Sequence, residues 1–369
     1  DGEIKVIPIT RDVVVLEDGY AKSAILEHKK TKQRVGLIDL RAFYADFEDS
    51  RGRRCARDVK NEVQKLIAEE VDGIIIDLRF NGGGSLSDVV DMTGLFIDKG
   101  PIVQVKSRDA EPVVLEDKDP STLYDGALVI LVNAFSASAS EIMAAALQDY
   151  GRAVIIGTTP TTFGKGTVQR FFNLDDGVPQ RYKSLGELGS LKVTIQQFYR
   201  IDGGSTQLKG VTPDIVLPSQ YSYLDLGEKD EDYPMAWTEI KAANYKRKHT
   251  VDNLNKVKSN SQKRVSHSKT YQAVEDNARW IKDQDKATVY PLQIDQYQAR
   301  KKSDDDKNKA FKEIYEHDIE DIKVSSLLAD SPAIEADASR KESTQAWHKQ
   351  LRKDFYLEEA MFVIRDMTK

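Results

Sequence analysis

Residues 73–84 read GIIIDLRFNGGG, and this stretch decides the expected fold. Three consecutive isoleucines are typical of a strand buried on both faces of a sheet. The three glycines that close the stretch leave backbone N–H groups unobstructed. The stretch therefore predicts a central strand followed by a turn whose N–H groups can bind an anion.

The segments around this strand predict alternating strands and helices. Apolar residues at helical spacing predict one helix over residues 58–69, and a second is expected from Ser138 to Tyr150. Strand, helix, strand units with short connections indicate an α/β fold with a mostly parallel sheet and flanking helices. Further strands are expected at 5–9, 13–17, 35–40, 102–106, 127–132, 153–156, 193–199 and 211–217.

The sequence becomes polar after about residue 218. Charged residues cluster at 301–306, and Trp347, Leu351 and Phe355 have helical spacing. We interpret the charge run as a solvated helix face and the whole segment as a mostly helical C-terminal domain. The expected organisation is N-terminal strands in residues 1–35, a core in 36–218 and the helical domain in 219–369.

Composition excludes several classes of function. The chain has 369 residues and a formal net charge of -6, which argues against nucleic-acid binding. It contains no apolar run long enough for an integral membrane segment. Its single cysteine, Cys55, excludes an intrachain disulfide. The flanking arginines would lower the pKa of this thiol, but a structural or incidental cysteine is the favoured interpretation.

Histidine is missing from the part of the sequence that carries the motifs. The five histidines are at positions 28, 249, 267, 317 and 348, and no two have the close spacing of a metal motif. A core without histidine lacks the commonest general base. We therefore expect neither a histidine-based triad nor a metal or other cofactor.

The glycine loop has two interpretations. A tight turn explains it as well as an anion-binding loop that holds a phosphate or an oxyanion. Ser85 and Asp88 stand near the later positions of the dinucleotide fingerprint counted from Gly82, so a Rossmann site is disfavoured.

Ser138 lies where a strand meets a helix, in the segment SASASE at residues 136–141. With Glu141 three positions later it forms a capping-box pattern, which stabilises a helix by about 1 kcal/mol. The same geometry would place a hydroxyl beside the free N–H of Ala139 at a helix N-terminus, where negative charge is favoured. Taken alone, the pattern favours a cap over a nucleophile.

Lys165 stands between two glycines in the segment 162–169, TFGKGTVQ. A P-loop is excluded because Thr159 replaces its first glycine and Gly166 follows the lysine. A lysine partly desolvated beside Phe163 would have a lowered pKa and could act as a base. A surface lysine remains the ordinary interpretation of any one such residue.

Together the three segments supply the parts of Ser/Lys acyl transfer: a hydroxyl, an amine in an apolar setting and a loop of N–H donors. The sequence resembles the carboxyl-terminal processing proteases, also called tail-specific proteases, of the large periplasmic Gram-negative type. The matching motifs lie at 36–40, 77–84, 136–141, 148–152, 163–169 and 210–214.

The resemblance implies a ClpP/crotonase-like core and assigns roles to individual residues. It makes Ser138 the nucleophile, Lys165 the general base and Gln169 the group that orients the lysine. It places the oxyanion hole at the backbone N–H groups of Gly83 or Gly84 and of Ala139. It also marks Asp149 as structural support for the site.

The resemblance further implies a periplasmic location, unfolded or C-terminal protein substrates, and a lipoprotein adaptor as a candidate partner of the helical tail. The sequence departs from the family in three ways. No segment matches a PDZ domain, Arg41 replaces a common proline, and Ser138 and Lys165 are 27 positions apart, two more than the family pattern. A longer loop at 158–162 would hold Lys165 away from Ser138.

Two alternatives remain open from the sequence. One is a non-catalytic binding or scaffold protein on the same fold. The other is an acyl-CoA enzyme that uses the glycine loop as an oxyanion hole, although neither a basic CoA-binding surface nor a suitable acid is identified.

Overall fold

The computed structural model describes residues 5, 8, 19–46, 49, 51–179, 181–182, 186–247, 251 and 253–369. Apart from Lys5 and Pro8, the strands expected at 5–9 and 13–17 lie outside the described residues. The strands are β1 Lys22–His28, β2 Arg34–Asp39, β3 Gly73–Asp77, β4 Gly100–Lys106, β5 Val113–Asp117, β6 Ala127–Val132, β7 Val154–Gly157, β8 Thr167–Asn173, β9 Ser190–Tyr199, β10 Ile215–Val216 and β11 Ile322–Ser325. The helices are α1 Cys55–Ala68, α2 Leu86–Gly94, α3 Ala139–Asp149, α4 Leu254–His267, α5 Lys269–Asp285, α6 Ile294–Ile314, α7 Ser331–Ala336, α8 Ala338–Leu351 and α9 Phe355–Met367.

Seven strands form the main sheet in the order β10-β7-β6-β3-β2-β1-β11. The five strands from β10 to β2 are parallel to their neighbours, while β1 pairs antiparallel with both β2 and β11. The expected α/β fold with a mostly parallel sheet is therefore confirmed, with β3 at its centre.

The isoleucines of β3 explain why the strand lacks polar interruptions. Ile74 and Ile76 point into one apolar cluster, which also contains residues of α1, α2 and α3. Ile75 points into a second cluster on the opposite face, formed with residues of α9, α4 and α5. Successive side chains alternate between faces in a strand, so both faces of β3 must be apolar.

The strand expected at residues 193–199 is present, but it does not join the main sheet. These residues belong to β9, which lies in a separate four-stranded antiparallel sheet of order β5-β4-β9-β8. The expected strand at 102–106 is in the same second sheet, as part of β4. Apolar periodicity indicates an extended segment, but it does not identify the strand's pairing partner.

The C-terminal region is mostly helical, as expected, but it also completes the core. Its strand β11 extends the main sheet beside β1. Helix α9 buries Leu357, Met361 and Ile364 against the face that contains Ile75. Residues on both sides of the proposed boundaries at 35 and 218 therefore contribute to one sheet and its apolar covering.

Helix α9 begins at Phe355, whereas α8 ends at Leu351. The helical spacing of Trp347, Leu351 and Phe355 thus spans two helices, although all three side chains are buried. In the part of the chain that the structure describes, no helix is both long and apolar enough to cross a bilayer.

Candidate active site

Ser138 lies in the turn between β6 and α3, at the carboxyl edge of the main sheet. The three serines of this turn have different surroundings. Ser136 is fully buried and its hydroxyl donates to Leu78 O at 2.8 Å, while the buried Ser140 hydroxyl donates to Asn81 O at 2.8 Å. Ser138 is only half-buried and lines a surface cleft. Of these three hydroxyls, the one at Ser138 is therefore placed to meet a substrate.

The Ser138 backbone has a φ of 56° and a ψ of -112°. A non-glycine residue in this region stores strain of roughly 1–3 kcal/mol, and such residues cluster at functional sites. A strained turn from a strand into a helix presents its side chain at the top of the sheet. The structure contains the capping-box bond in which the glutamate accepts from the capping residue: Ser138 N–H donates to the Glu141 carboxylate at 2.8 Å.

The glycine loop lies directly against this turn. A Cβ at Gly83 would come within 2.8 Å of Ser138 Cβ and 3.1 Å of Ala139 N, so only glycine permits this approach. Gly83 N–H already donates to Asn81 Oδ1 at 2.9 Å, which makes it a poor oxyanion donor. In the described part of the chain, the N–H groups of Gly84 and Ala139 have no hydrogen-bond partner. The structure thus favours Gly84 over Gly83 of the two glycines suggested by the sequence.

Gly84 is itself irreplaceable for a steric reason. Its φ is 145°, and a Cβ there would lie 2.2 Å from the carbonyl oxygen of Phe43. Gly84 and Ala139 both line the cleft that contains Ser138. Two unengaged N–H groups beside a hydroxyl have the composition of an oxyanion hole.

Lys165 follows Gly164, whose φ of 92° requires glycine, and lies two residues before the start of β8. Its backbone is held on both sides, since Lys165 N–H donates to the Glu141 carboxylate at 2.9 Å and Lys165 O accepts from Thr206 Oγ1 at 3.0 Å. The lysine therefore has a fixed backbone position, although its side chain is long.

The Lys165 amine is half-buried and donates to Gln169 Oε1 at 3.0 Å. Burial lowers the pKa of Lys165 below its ordinary value, and the nearby positive charge of Lys192 lowers it further. Glu228 and Glu141 act in the opposite direction. The net effect favours the neutral amine, which is the form that can accept a proton.

Ser138, Lys165 and Gln169 line one cleft of about 190 Å³. Among the hydrogen bonds of the described residues, none joins Ser138 Oγ to Lys165 Nζ. Catalytic hydrogen bonds are often long before substrate binds, so the absence of this bond does not prevent Ser138 and Lys165 from acting together in the cleft that both line. The sequence predicted that these residues would meet, and they reach the same cleft.

Glu141 connects the serine turn to the lysine loop. Its fully buried carboxylate accepts four hydrogen bonds, two from the N–H groups of Ser138 and Lys165 and two from Thr162 Oγ1 and Gly164 N–H. Burial raises the pKa of Glu141 to about 7, although these donors act to lower it. One carboxylate thus holds the backbones of Ser138 and Lys165 relative to each other, while the effect of the longer loop at 158–162 on the lysine side chain stays a prediction.

Asp149 lies at the far end of α3, about 16 Å along the helix from Ser138 at 1.5 Å per residue. Its carboxylate pairs with Arg200, and the residue is absent from the cleft lining. This position suits the supporting role that the resemblance implies and excludes proton transfer at the cleft.

Cys55 is buried in the main core, and burial raises the pKa of its thiol, as does Asp88. The expected lowering by neighbouring arginines is therefore wrong: Arg54 pairs with Asp88 and Arg53 pairs with Asp58. The thiol is inert in this setting, which agrees with a structural cysteine.

Two residues of the site were not identified from the sequence. Glu141 was recognised only as a cap, because nothing in a linear sequence shows that its carboxylate also binds the segment 162–165. Lys192 lies on β9, and it lines the cleft because β9 pairs with β8. In the described ranges, no three histidine, cysteine, aspartate or glutamate side chains are grouped so that they could hold a metal ion.

Comparison with known proteins identifies the class to which this site belongs. The sequence profile of peptidase family S41 matches residues 34–217, and that of the C-terminal domain of tail specific protease matches residues 221–369. The chain belongs to peptidase family S41 and carries the C-terminal domain found in its tail-specific members.

Two curated relatives show how much of the family the chain covers. The tail-specific protease of Haemophilus influenzae is 40% identical over 262 residues, which is 69% of this chain and 34% of the relative. The carboxy-terminal-processing protease of Bartonella bacilliformis is 40% identical over 179 residues, which is 47% of this chain and 38% of the relative. The chain thus spans little more than a third of the length of either relative.

Among solved structures, the photosystem II D1 C-terminal processing protease is similar, with a TM-score of 0.45 and 25% identity. That match covers 57% of this chain and 50% of the other.

Proposed function

We propose that this chain is the catalytic part of a serine endopeptidase that cleaves unfolded or C-terminally exposed polypeptides through an acyl-enzyme. The observation that carries the proposal is the single cleft lined by Ser138, Lys165, Gln169 and the unengaged N–H groups of Gly84 and Ala139. Membership of family S41 supports a serine-type peptidase.

In the proposed mechanism, neutral Lys165 accepts the Ser138 hydroxyl proton as the oxygen attacks a peptide carbonyl. The Gln169 carbonyl can only accept a hydrogen bond, so it engages one N–H of the amine and leaves the nitrogen lone pair available. The N–H groups of Gly84 and Ala139 would stabilise the oxyanion. The lysine ammonium then protonates the leaving amine, and water hydrolyses the acyl-enzyme with Lys165 again acting as base.

The substrates, location and partners of the whole protein are proposals from the family resemblance. We propose a periplasmic location and protein substrates with exposed C-terminal or unfolded segments. Docking of a lipoprotein adaptor on the helical tail stays a prediction, as does the role of any PDZ module.

Cleavage of a denatured fluorogenic protein by four variants tests this function. Ser138→Ala and Lys165→Ala should each lower turnover by at least about 1000-fold, because nucleophile and base act as a unit. Ser121→Ala and Lys118→Ala alter the same residue types at exposed positions outside the cleft and should retain full activity.

Thermal unfolding of each variant would verify that its fold is intact. Undiminished cleavage by the Ser138→Ala protein would refute the mechanism. No cleavage by the wild-type chain, in the presence or absence of a chelator, would instead favour the non-catalytic scaffold.

A further inference from the structure

A second cavity, of about 370 Å³, lies between the glycine loop and the C-terminal helical region. Its lining includes five aromatic side chains: Phe80, Tyr221, Tyr315, Phe355 and Tyr356. We refer to it as the aromatic cavity. Binding sites are commonly concave and lined by apolar and aromatic groups, and this size suits one large side chain.

Phe80, which lines the cavity, is 50% exposed. It stacks on Phe135 with ring centroids 5.3 Å apart, and Tyr221 meets both rings edge-on at 6.1 and 5.2 Å. Leaving such a cluster partly exposed forgoes hydrophobic stabilisation, and exposed apolar clusters mark binding surfaces.

The exposed rings are held in place by their backbones. The N–H groups of Phe80 and Phe135 both donate to Asn133 Oδ1, each at 3.0 Å. Asn133 is itself buried. The aromatic cluster is therefore a preformed surface on the two segments that lead into the catalytic cleft.

The charged groups of the cavity wall are paired with one another. Arg79 binds Asp77 and Asp354, both at 2.6 Å, and Lys353 binds Glu316 at 2.5 Å. Among the described lining residues, no cation is thus available to a carboxylate or phosphate. The chemistry of the wall fits an uncharged aromatic or large aliphatic group.

The cavity lies close to the catalytic cleft along the chain. Phe80 precedes Gly82 by two residues, and Phe135 precedes Ser138 by three, which sets upper limits of about 7 and 11 Å on the Cα separations. Gly82 and Ser138 line the cleft. An extended peptide whose carbonyl lies at Ser138 would reach the cavity within roughly three residues.

We propose that the aromatic cavity is a substrate subsite that binds an aromatic or large aliphatic side chain of a polypeptide, about three residues from the scissile bond. This inference rests on the proposed peptidase function. Folded proteins bury such side chains and unfolded chains expose them, so the subsite would select unfolded polypeptide. Because Tyr315 and Tyr356 come from the C-terminal region, that region would contribute directly to substrate recognition.

The test uses quenched fluorescent peptides that are identical except for one phenylalanine, which is moved through each position from two to four residues on either side of the cleaved bond. A serine at all these positions gives the reference peptide. The wild-type chain should cleave one phenylalanine peptide with a kcat/KM at least 10-fold above the reference, the selectivity typical of a large apolar contact.

Phe80→Ala and Tyr221→Ala should each remove most of this preference and leave cleavage of the reference peptide within about twofold. Tyr233→Ala removes an aromatic ring that is 97% exposed elsewhere, and it should retain the full preference. Two cavity variants are used so that misfolding of one, detected by thermal unfolding, leaves the other decisive.

A wild-type chain without preference at any position would overturn the subsite, as would a preference that survives both cavity variants. If Ser138-dependent cleavage persists in those cases, the proposed function stands and the subsite alone fails. If the peptides are cleaved equally by Ser138→Ala, the proposed function fails and the subsite fails with it.

Discussion

The proposed nucleophile and the proposed base reach the cleft from two regions that are built differently. Ser138 is the N-cap of α3, in which every residue from Ala139 to Leu147 is buried. Lys165 stands at the base of the hairpin β8–β9, where most side chains of β8 beyond Thr167 are exposed. The serine is positioned by the core, whereas the lysine is positioned by a surface element attached to it.

This difference shows why Glu141 is central. Its carboxylate donates no hydrogen bond of its own when ionised and accepts from both regions, so it fixes the lysine loop relative to the serine turn. A base on a projecting hairpin requires such an attachment, because a misplacement of about 1 Å can reduce the rate by about 100-fold.

The largest effect is expected from breaking this attachment. Glu141→Gln keeps the shape but replaces one acceptor oxygen by an NH₂ group that faces N–H donors. Loss of two charge-assisted hydrogen bonds, each worth about 1.5–3 kcal/mol, should reduce kcat/KM roughly 1000-fold. Kinetics on an unfolded substrate would measure this loss, and a rate within a few-fold of wild type would show that the two regions are positioned independently.

A smaller effect is expected from altering only the glycine loop beside Ser138. In Gly84→Ala the new methyl group would meet Phe43 O at 2.2 Å, so the loop must move and its N–H donor with it. We expect kcat to fall by about 100-fold, the usual consequence of losing one oxyanion donor. Gly177→Ala, where a Cβ meets nothing within 4 Å, is the matched control and should be fully active.

Equal kcat values for Gly84→Ala and Gly177→Ala would show that the Gly84 N–H group is not an oxyanion donor. The result would also decide between Gly84 and Gly83, which the sequence left open.

The next effect is a change in the pH dependence of activity, caused by altering only the surroundings of Lys165. Lys192 lowers the pKa of Lys165, second only to burial, so Lys192→Gln should raise that pKa. In the proposed mechanism, activity depends on the neutral amine and appears as the pH rises through the pKa of Lys165. The pH–rate profile should therefore move to higher pH in Lys192→Gln and stay near its original position in Lys192→Arg, which keeps the charge. A shift to lower pH would contradict this assignment.

The smallest effect is expected at the exposed end of the hairpin. Phe171 is largely solvent-exposed, so Phe171→Ser should change the free energy of unfolding by no more than about 0.5 kcal/mol. Leu131→Ala in β6 removes a fully buried side chain and should cost about 2–5 kcal/mol. Denaturant unfolding of both variants would measure the contrast, and a large loss for Phe171→Ser would show that the hairpin is part of the core.

The sequence was most informative where the chain is buried. The strand at residues 127–132 matches β6 residue for residue, and the helix expected from Ser138 closely matches α3. Continuous apolar runs and a cap are local signals, so they can be interpreted without knowledge of the rest of the fold. The helix expected at 58–69 begins three residues earlier, at Cys55, and ends at Ala68.

The sequence was least informative where the structure depends on pairing between distant segments. Strand β1 was missed, and the sequence did not show that β9 pairs with β4 and β8 in a second sheet. Glu141 and Lys192 contribute to the site through contacts with residues 21 or more positions away, and the aromatic cavity joins Phe80 to Tyr356. No local pattern of residues carries that information.

The central claim is that a neutral Lys165 removes the Ser138 proton. Its most direct test is the pH dependence of the rate at which an activated peptidyl ester acylates the chain, with the adduct located by mass spectrometry. The account predicts an adduct on Ser138 and a rate midpoint below the ordinary lysine value of about 10.4. An adduct on another side chain, or a midpoint at or above that value, would contradict it.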